Sequence, residues 1–164
     1  MDPIRLERVV SGGQTGIDQS ALRAAKAAGL ATGGWMPLGF RTEDGRRPDF
    51  ESRYGMKPAR TSEYRDRTHL NVRDSDATIW LGPTGSPGWI ATSWAIREFG
   101  RPSMLVEPGE TTPRMVLEFL AAHRVKVLNV AGPRESEVPG IGERGERFLG
   151  RLFHLIKTAP ATDA

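Results

Sequence analysis

Three glycine-bearing turns constrain the fold of this chain more than any other feature of its sequence. The first turn covers residues 11–18, the second turn residues 82–88 and the third turn residues 129–136. Each turn follows an apolar run and leads into a segment with helical spacing, the order typical of an open parallel sheet. Ligands bind such sheets at the carboxyl ends of the strands. The sequence therefore predicts one ligand pocket that all three turns share.

Apolar runs and helical patterns alternate along the chain and predict an α/β fold. We expect a Rossmann-like three-layer sandwich, with a mainly parallel sheet flanked by helices. It should form a single domain over residues 1–158, and we expect residues 159–164 to be a disordered tail. The runs typical of strands are residues 8–11, 33–36, 77–81, 103–106 and 125–130.

Two of the helices have recognisable starts. Ser86-Pro87 and Thr112-Pro113 each combine a side chain suited to the N-cap with a proline suited to the first helical position. Gly100 follows the apolar pattern after Ser86 and is expected to end that helix.

Composition narrows the class of protein. The 164 residues include no cysteine, which excludes disulfides and thiolate metal sites. No run of about 18 uncharged apolar residues predicts a membrane span, and residues 1–8 lack the apolar core of a signal peptide. The net charge is +3, but the arginines are scattered and no nucleic-acid motif is present. We expect a cytoplasmic protein with no membrane or nucleic-acid partner.

The first turn predicts a site for a small anion. Its glycines let a ligand approach the backbone closely, and the N-terminus of the following helix faces the anion. The spacing of Gly12, Gly13 and Gly16 is neither that of a P-loop nor that of the dinucleotide fingerprint. Asp18 either stabilises the helix dipole or contacts a ribose hydroxyl or an amine of the ligand.

The other turns add hydroxyl groups, bare backbone and an arginine. Arg134 either binds a phosphate as a fork or pairs with Glu135 on the surface. Trp35 either stacks on a flat ring or packs in the core. We assign no residue to catalysis and none to a metal. The residues assigned to ligand binding are Gly12, Gly13, Gln14, Thr15, Gly16, Asp18, Trp35, Arg73, Thr84, Gly85, Ser86, Gly88, Thr92, Asn129, Gly132, Pro133, Arg134, Glu135 and Ser136.

Residues 37–61 break the alternation of strands and helices. The segment is rich in glycine, proline and arginine and is predicted to be a long loop. Structureless loops of this length are uncommon in compact domains and are often functional lids. It is therefore either a lid over the pocket, or an ordinary surface excursion or subunit contact.

Four sequence blocks, in order, resemble a known family. They are GGQTGID at residues 12–18, GGWMPLGF–RTEDG at residues 33–45, residues 64–67 together with 71–77, and LNVAGPRES–PGIG at residues 128–142. From about residue 9 to residue 153 the chain resembles the family named putative molybdenum carrier proteins. This family is the circularly permuted branch of the SLOG superfamily.

The resemblance implies a fold related to the lonely-guy phosphoribohydrolases and a nucleotide or nucleotide-derived ligand. Characterised carriers bind the molybdenum cofactor, protect it from oxidation and form oligomers. By resemblance, the expected ligand is the molybdenum cofactor (molybdopterin) or a nucleotide. The expected assembly is a homo-oligomer, either a dimer or a tetramer.

The resemblance leaves three functions open. The chain is a carrier-like binding protein for a phosphorylated, ring-bearing molecule, a nucleotide N-glycosidase, or a sensor whose bound state a partner protein recognises. The hydrolase relatives have a PGGxGTxxE motif with a catalytic glutamate. In the nearest stretch of this chain Ala95 stands where that glutamate would fall, which disfavours the enzyme.

Overall fold

Six parallel strands form the central sheet of the computed structural model, which describes residues 3–159. The strands of the chain are β1 (Arg8–Val10), β2 (Ala31–Met36), β3 (Arg41–Thr42), β4 (Gly45–Arg46), β5 (Met56–Pro58), β6 (Ala77–Leu81), β7 (Ser103–Val106) and β8 (Val127–Ala131). The order in the central sheet is β5-β2-β1-β8-β6-β7, and a separate hairpin pairs β3 with β4. The chain thus builds outward from β1, crosses to β6 and β7, and returns to place β8 in the middle.

Helices cover both faces of the sheet and confirm the predicted Rossmann-like sandwich. The helices are α1 (Ile17–Ala27), α2 (Asp49–Tyr54), α3 (Tyr64–Arg73), α4 (Pro87–Phe99), α5 (Pro113–Ala122) and α6 (Ile141–Thr158). On one face α1 and α5 pack against α6, and on the other α3 packs against α4.

The two faces of the sheet differ in polarity. Ile79, Leu128 and Val130 belong to the main apolar core, which they share with α1, α5 and α6. Because side chains alternate along a strand, their neighbours point to the other face. There Trp80 packs against Trp89 of α4, and Asn129 donates a hydrogen bond to Thr78. The face under α3 and α4 is therefore the more polar of the two.

The predicted helix starts are confirmed. The Ser86 hydroxyl accepts a hydrogen bond from the Trp89 N–H at 3.3 Å, and the Thr112 hydroxyl accepts one from the Met115 N–H at 3.2 Å. Gly100 ends α4 in the left-handed conformation, with a φ of 61°. Local capping chemistry therefore sets the position of the helix that follows the second turn.

The expectation of one long loop at residues 37–61 is wrong. The segment forms the β3–β4 hairpin, α2 and β5, and β5 pairs with β2 as an edge strand of the sheet. Phe50, Tyr54 and Met56 form a small second core with Leu22 and Met36. This apolar cluster anchors the segment and orders it.

Within residues 3–159 no helix is both long enough and apolar enough to cross a membrane. Of the predicted tail at residues 159–164, residues 160–164 lie outside the described residues.

Candidate functional site

The three glycine-bearing turns meet at the carboxyl edge of the sheet. Strand pairing places the end of β8 between the ends of β1 and β6, with Val10 opposite Asn129 and Trp80 opposite Ala131. The first and third turns touch directly, because the Ile17 N–H donates to the Pro133 carbonyl at 3.4 Å. The convergence predicted from the sequence is therefore present.

A cavity of about 270 Å³ lies where the turns meet, beneath α3 and α4. Each turn contributes to its wall, and α3 contributes Tyr64, Arg67 and Thr68. Trp80 and Ala131 close it from the sheet. The predicted residues that line this cavity are Gln14, Asp18, Ser86, Gly88, Thr92, Gly132, Pro133 and Arg134.

Within the first turn, backbone N–H groups already have acceptors. The Gly13 N–H donates to the Ser11 hydroxyl at 3.4 Å, the Gln14 N–H to the Asp18 carboxylate at 3.2 Å, and the Thr15 N–H to the Gln14 side-chain oxygen at 3.0 Å. Asp18 thus fixes the turn. These three donors are used inside the protein, so side chains are the groups best placed to meet an anion here.

The glycines of the first turn leave room for the protein's own atoms. A Cβ on Gly12 would lie 2.3 Å from the Arg67 guanidinium, and one on Gly13 would lie 2.8 Å from the Met36 side chain. Gly13 also has a φ of +73°, which disfavours any larger residue. The groups that closely approach the backbone at these glycines are therefore the side chains of Arg67 and Met36, where the sequence led us to expect a ligand.

Arg67 and Asp18 form a buried ion pair in the wall of the cavity. Arg67 Nη2 lies 3.7 Å from Asp18 Oδ2, and the two side chains are only 12% and 5% exposed. Burial raises the pKa of the Asp18 carboxyl, opposed by the Arg67 charge and by the Gln14 N–H. Burial also lowers the pKa of Arg67, opposed by Asp18. Each charge depends on the other for its place in the wall.

Two buried donors in this wall have no hydrogen-bond partner within residues 3–159. They are Gln14 Nε2 and Arg67 Nε. Buried polar groups in folded proteins are nearly always paired, so each unpaired donor calls for an acceptor. Two such donors, on residues that line the same cavity, favour a ligand that is rich in oxygen acceptors or negatively charged.

Three positively charged side chains surround the ring of Tyr64, which lines the cavity. The guanidinium groups of Arg41, Arg134 and Arg67 lie 4.3, 5.1 and 5.7 Å from the centre of the Tyr64 ring. Arg134 pairs with Glu137 at 2.9 Å, and not with Glu135, which was one of the two alternatives that the sequence left open for it. Glu135 instead accepts hydrogen bonds from the N–H groups of Gly140 and Gly142 at the start of α6.

The β3–β4 hairpin reaches over the first and third turns. Its Glu43 carboxylate accepts hydrogen bonds from the hydroxyls of Thr15 and Ser136 and, at 3.2 Å, from the Ser136 N–H. The Glu43 N–H donates to the Gln14 side-chain oxygen at 2.9 Å. Part of segment 37–61, for which a lid was one of two alternatives, thus contacts the predicted site residues.

A larger groove of about 1040 Å³ runs between α3 and α4 beside this cavity. The two share Arg65, Pro87 and Ala91 in their linings. Trp35 and Arg73 line the groove and not the cavity. Trp35 is half-buried, and its indole N–H donates to Asp74 at 2.8 Å, so it is not a core residue.

Other predicted residues lie apart from the cavity. Thr84 and Gly85 are exposed in the second turn, and Asn129 is buried in the sheet against Thr78. Sequence reasoning from the turns missed Arg67, Tyr64 and Glu43. Each lies in a block that carries the family resemblance, which was the one available signal for them.

Comparisons with known proteins agree with this fold. The family described as the circularly permutated YpsA SLOG family matches residues 9–153. The sequence is 30% identical to that of the "Putative molybdenum carrier protein" from Syntrophus aciditrophicus SB, and the fold matches its crystal structure with a TM-score of 0.80. That match covers 92% of this chain and 96% of the other. A search of curated proteins found no match.

Proposed function

We propose that this chain, which belongs to the circularly permutated YpsA SLOG family, binds a phosphorylated, ring-bearing small molecule at its three turns. The observation that carries the proposal is the pair of unpartnered buried donors, Gln14 Nε2 and Arg67 Nε, in one cavity wall. A phosphate supplies the oxygen acceptors that both donors need, and a guanidinium favours its negative charge.

The size of the cavity suits part of such a ligand. Small-molecule sites usually measure about 300–1,000 Å³, and the cavity lies just below that range. The adjoining groove offers the remaining space and an aromatic side chain, Trp35. We infer that the phosphate occupies the cavity and that the ring extends toward the groove. In this arrangement Gly12 of the first turn acts by leaving space for the Arg67 guanidinium beside the backbone of that turn.

The ligand that we propose for this site is the molybdenum cofactor, and the alternative ligand is a nucleotide. Molybdopterin combines a phosphate with a flat bicyclic ring, and the similar protein from Syntrophus aciditrophicus bears the carrier name. Gln14 and Arg67 would hold the phosphate. The cofactor, when bound, brings its own metal chemistry, and the protein's part is to bind and cover it. A ligand sensor would use the same cavity.

A phosphoribohydrolase needs a carboxyl group free to move a proton beside the ligand. The cavity is lined by two acidic residues, Asp18 and Glu137. Asp18 is held by the Gln14 N–H and Arg67, and Glu137 pairs with Arg134. These contacts favour binding over catalysis.

A cytoplasmic location remains a prediction from the sequence.

The ligand retained by the purified protein tests the proposal. Native mass spectrometry is expected to show a phosphorus-containing molecule on the wild type and to show its loss from Gln14→Glu. The substitution keeps an oxygen for the N–H groups of Thr15 and Glu43 but replaces the donor with negative charge. Affinity should fall at least about tenfold, the typical value of one charged hydrogen bond.

Arg114→Ala provides the control for that experiment, because it changes the net charge equally at an exposed site on α5. Equal ligand retention by Gln14→Glu and by wild type would reject the cavity as the binding site.

We also propose a symmetric homo-oligomer, with α4 at the interface. Ile90 and Trp94 of α4 are 57% and 71% exposed, although large apolar side chains are usually buried. Light scattering is expected to give a molar mass that is a multiple of 18.0 kDa, and Trp94→Arg should lower this mass. Met115→Arg places the same charge at an exposed apolar position on α5 and should leave the mass unchanged. A wild-type monomer at tens of micromolar would contradict the assembly.

A further inference from the structure

One side chain of the β3–β4 hairpin, Glu43, joins it to both the first and the third turn. Its carboxylate bridges the first and third turns by accepting from the Thr15 hydroxyl, the Ser136 hydroxyl and the Ser136 N–H. The hairpin's strands are only two residues long, so the ladder alone gives little stability. These side-chain contacts therefore contribute much of what holds the hairpin tip in place.

The same residue sets the orientation of the Gln14 carboxamide. The Gln14 oxygen accepts from the Glu43 N–H at 2.9 Å and from the Thr15 N–H at 3.0 Å. A flipped amide would turn its own NH₂ group against these two donors, which is unfavourable. With the oxygen held on this side, Nε2 is the donor left without a partner within residues 3–159, on a residue that lines the cavity.

We propose that Glu43 is a positioning residue that locks the hairpin over the turns and aims the Gln14 donor at an anionic ligand in the cavity. The identity of the ligand as an anion rests on the proposed function. The lock itself is a property of the unliganded chain.

The charges around Glu43 support a stable lock. Partial burial alone would raise its pKa, but hydrogen bonds from Ser136 and Thr15 and the nearby Arg134 outweigh it and hold the pKa below its usual value. Glu43 is therefore ionised at neutral pH. An ionised carboxylate accepts stronger hydrogen bonds than a neutral group does.

The first test needs no ligand. Hydrogen exchange of residues 40–47 should be about tenfold faster in Glu43→Ala than in wild type, because three hydrogen bonds are lost. Asp44→Ala is the matched control, since it removes a neighbouring exposed carboxylate from the same hairpin. It should leave exchange within about twofold of wild type. Equal exchange in Glu43→Ala and wild type would overturn the lock.

The orientation of Gln14 has its own ligand-free readout. In nitrogen-15 NMR the Gln14 side-chain NH₂ signals, assigned by their loss in Gln14→Glu, should be distinct in wild type and in Asp44→Ala. In Glu43→Ala they should shift toward those of a freely rotating glutamine. Signals that stay unchanged when the hairpin loosens would overturn the positioning role.

Adenosine 5′-monophosphate serves as the binding probe. Glu43→Ala should bind it about tenfold more weakly than wild type, as expected when one aimed donor is lost, and Asp44→Ala should bind normally. Tighter binding by Glu43→Ala would contradict the proposal and make Glu43 a competitor for the anion site. If wild type fails to bind the probe and retains no other phosphorylated ligand, the proposed function fails, whereas the exchange and NMR results still decide the lock and the Gln14 orientation.

Discussion

Replacing Arg67 with methionine is expected to lower the free energy of unfolding by about 3–5 kcal/mol at neutral pH, because it leaves the buried Asp18 charge without its partner. Urea denaturation of the apo protein measures this loss. Arg65→Met is the matched control: it lies on the same helix and is exposed, and it should change stability by no more than about 0.5 kcal/mol.

The pH dependence of that loss has a definite sign. Burial raises the folded-state pKa of Asp18, so its contribution to stability is present at low pH and is lost as pH rises through the folded pKa. The loss in the free energy of unfolding caused by Arg67→Met should therefore be larger at pH 8 than at pH 5. Asp18→Asn in the same variant should restore much of the stability and remove this dependence. A stable Arg67→Met protein at pH 8 would show that the pair does not support the turn.

Gly16→Ala is the second large effect we expect. Gly16 has a φ of +77°, and a Cβ there would lie 2.5 Å from the Pro133 carbonyl oxygen and 2.8 Å from the Glu135 nitrogen. Backbone strain and overpacking together should cost about 2–6 kcal/mol in the free energy of unfolding. Thermal and urea unfolding both measure it.

Gly85→Ala separates this effect from a general cost of changing turn glycines. Gly85 also lies in one of the three turns, but a Cβ there meets nothing within 4 Å. It should be tolerated within about 0.5 kcal/mol. If Gly16→Ala unfolds like Gly85→Ala, the first and third turns do not pack as described.

The sequence carried enough local information to predict the layers of the fold. Residues 77–81 form a continuous apolar run and are the fully buried strand β6, and the Ser86-Pro87 signal marks the start of α4. The convergence of the turns followed from the direction of parallel strands alone. These features depend on periodicity and capping, which act over short stretches of chain.

The parts that sequence reasoning missed depend on contacts between distant residues. The strands β3, β4 and β5 have two or three residues each, too few to show a period. Arg67 sits in a charged helix that looks solvent-facing, yet it is buried because Gly12 leaves space for it. Glu43 reaches Ser136 across 93 positions of sequence. No local pattern reports such contacts.

The roles of the glycines show the same limit. A glycine that permits close approach does not reveal which group approaches. In the first turn the approaching groups are Arg67, Met36 and the third turn. We therefore propose that side chains in the cavity wall, Gln14 and Arg67, hold the anion in place of the backbone of the turn.

A competition between the molybdenum cofactor and adenosine 5′-monophosphate tests the central claim most directly. Wild-type protein is incubated with the cofactor with and without the nucleotide, and both bound cofactor and its lifetime against oxidation are followed. We expect the wild type to bind the cofactor and slow its decay, and Gln14→Glu to do neither. Decay as fast as in buffer, with tight nucleotide binding, would contradict the carrier function and leave a nucleotide-binding protein; binding of neither molecule by the wild type would contradict the phosphate site itself.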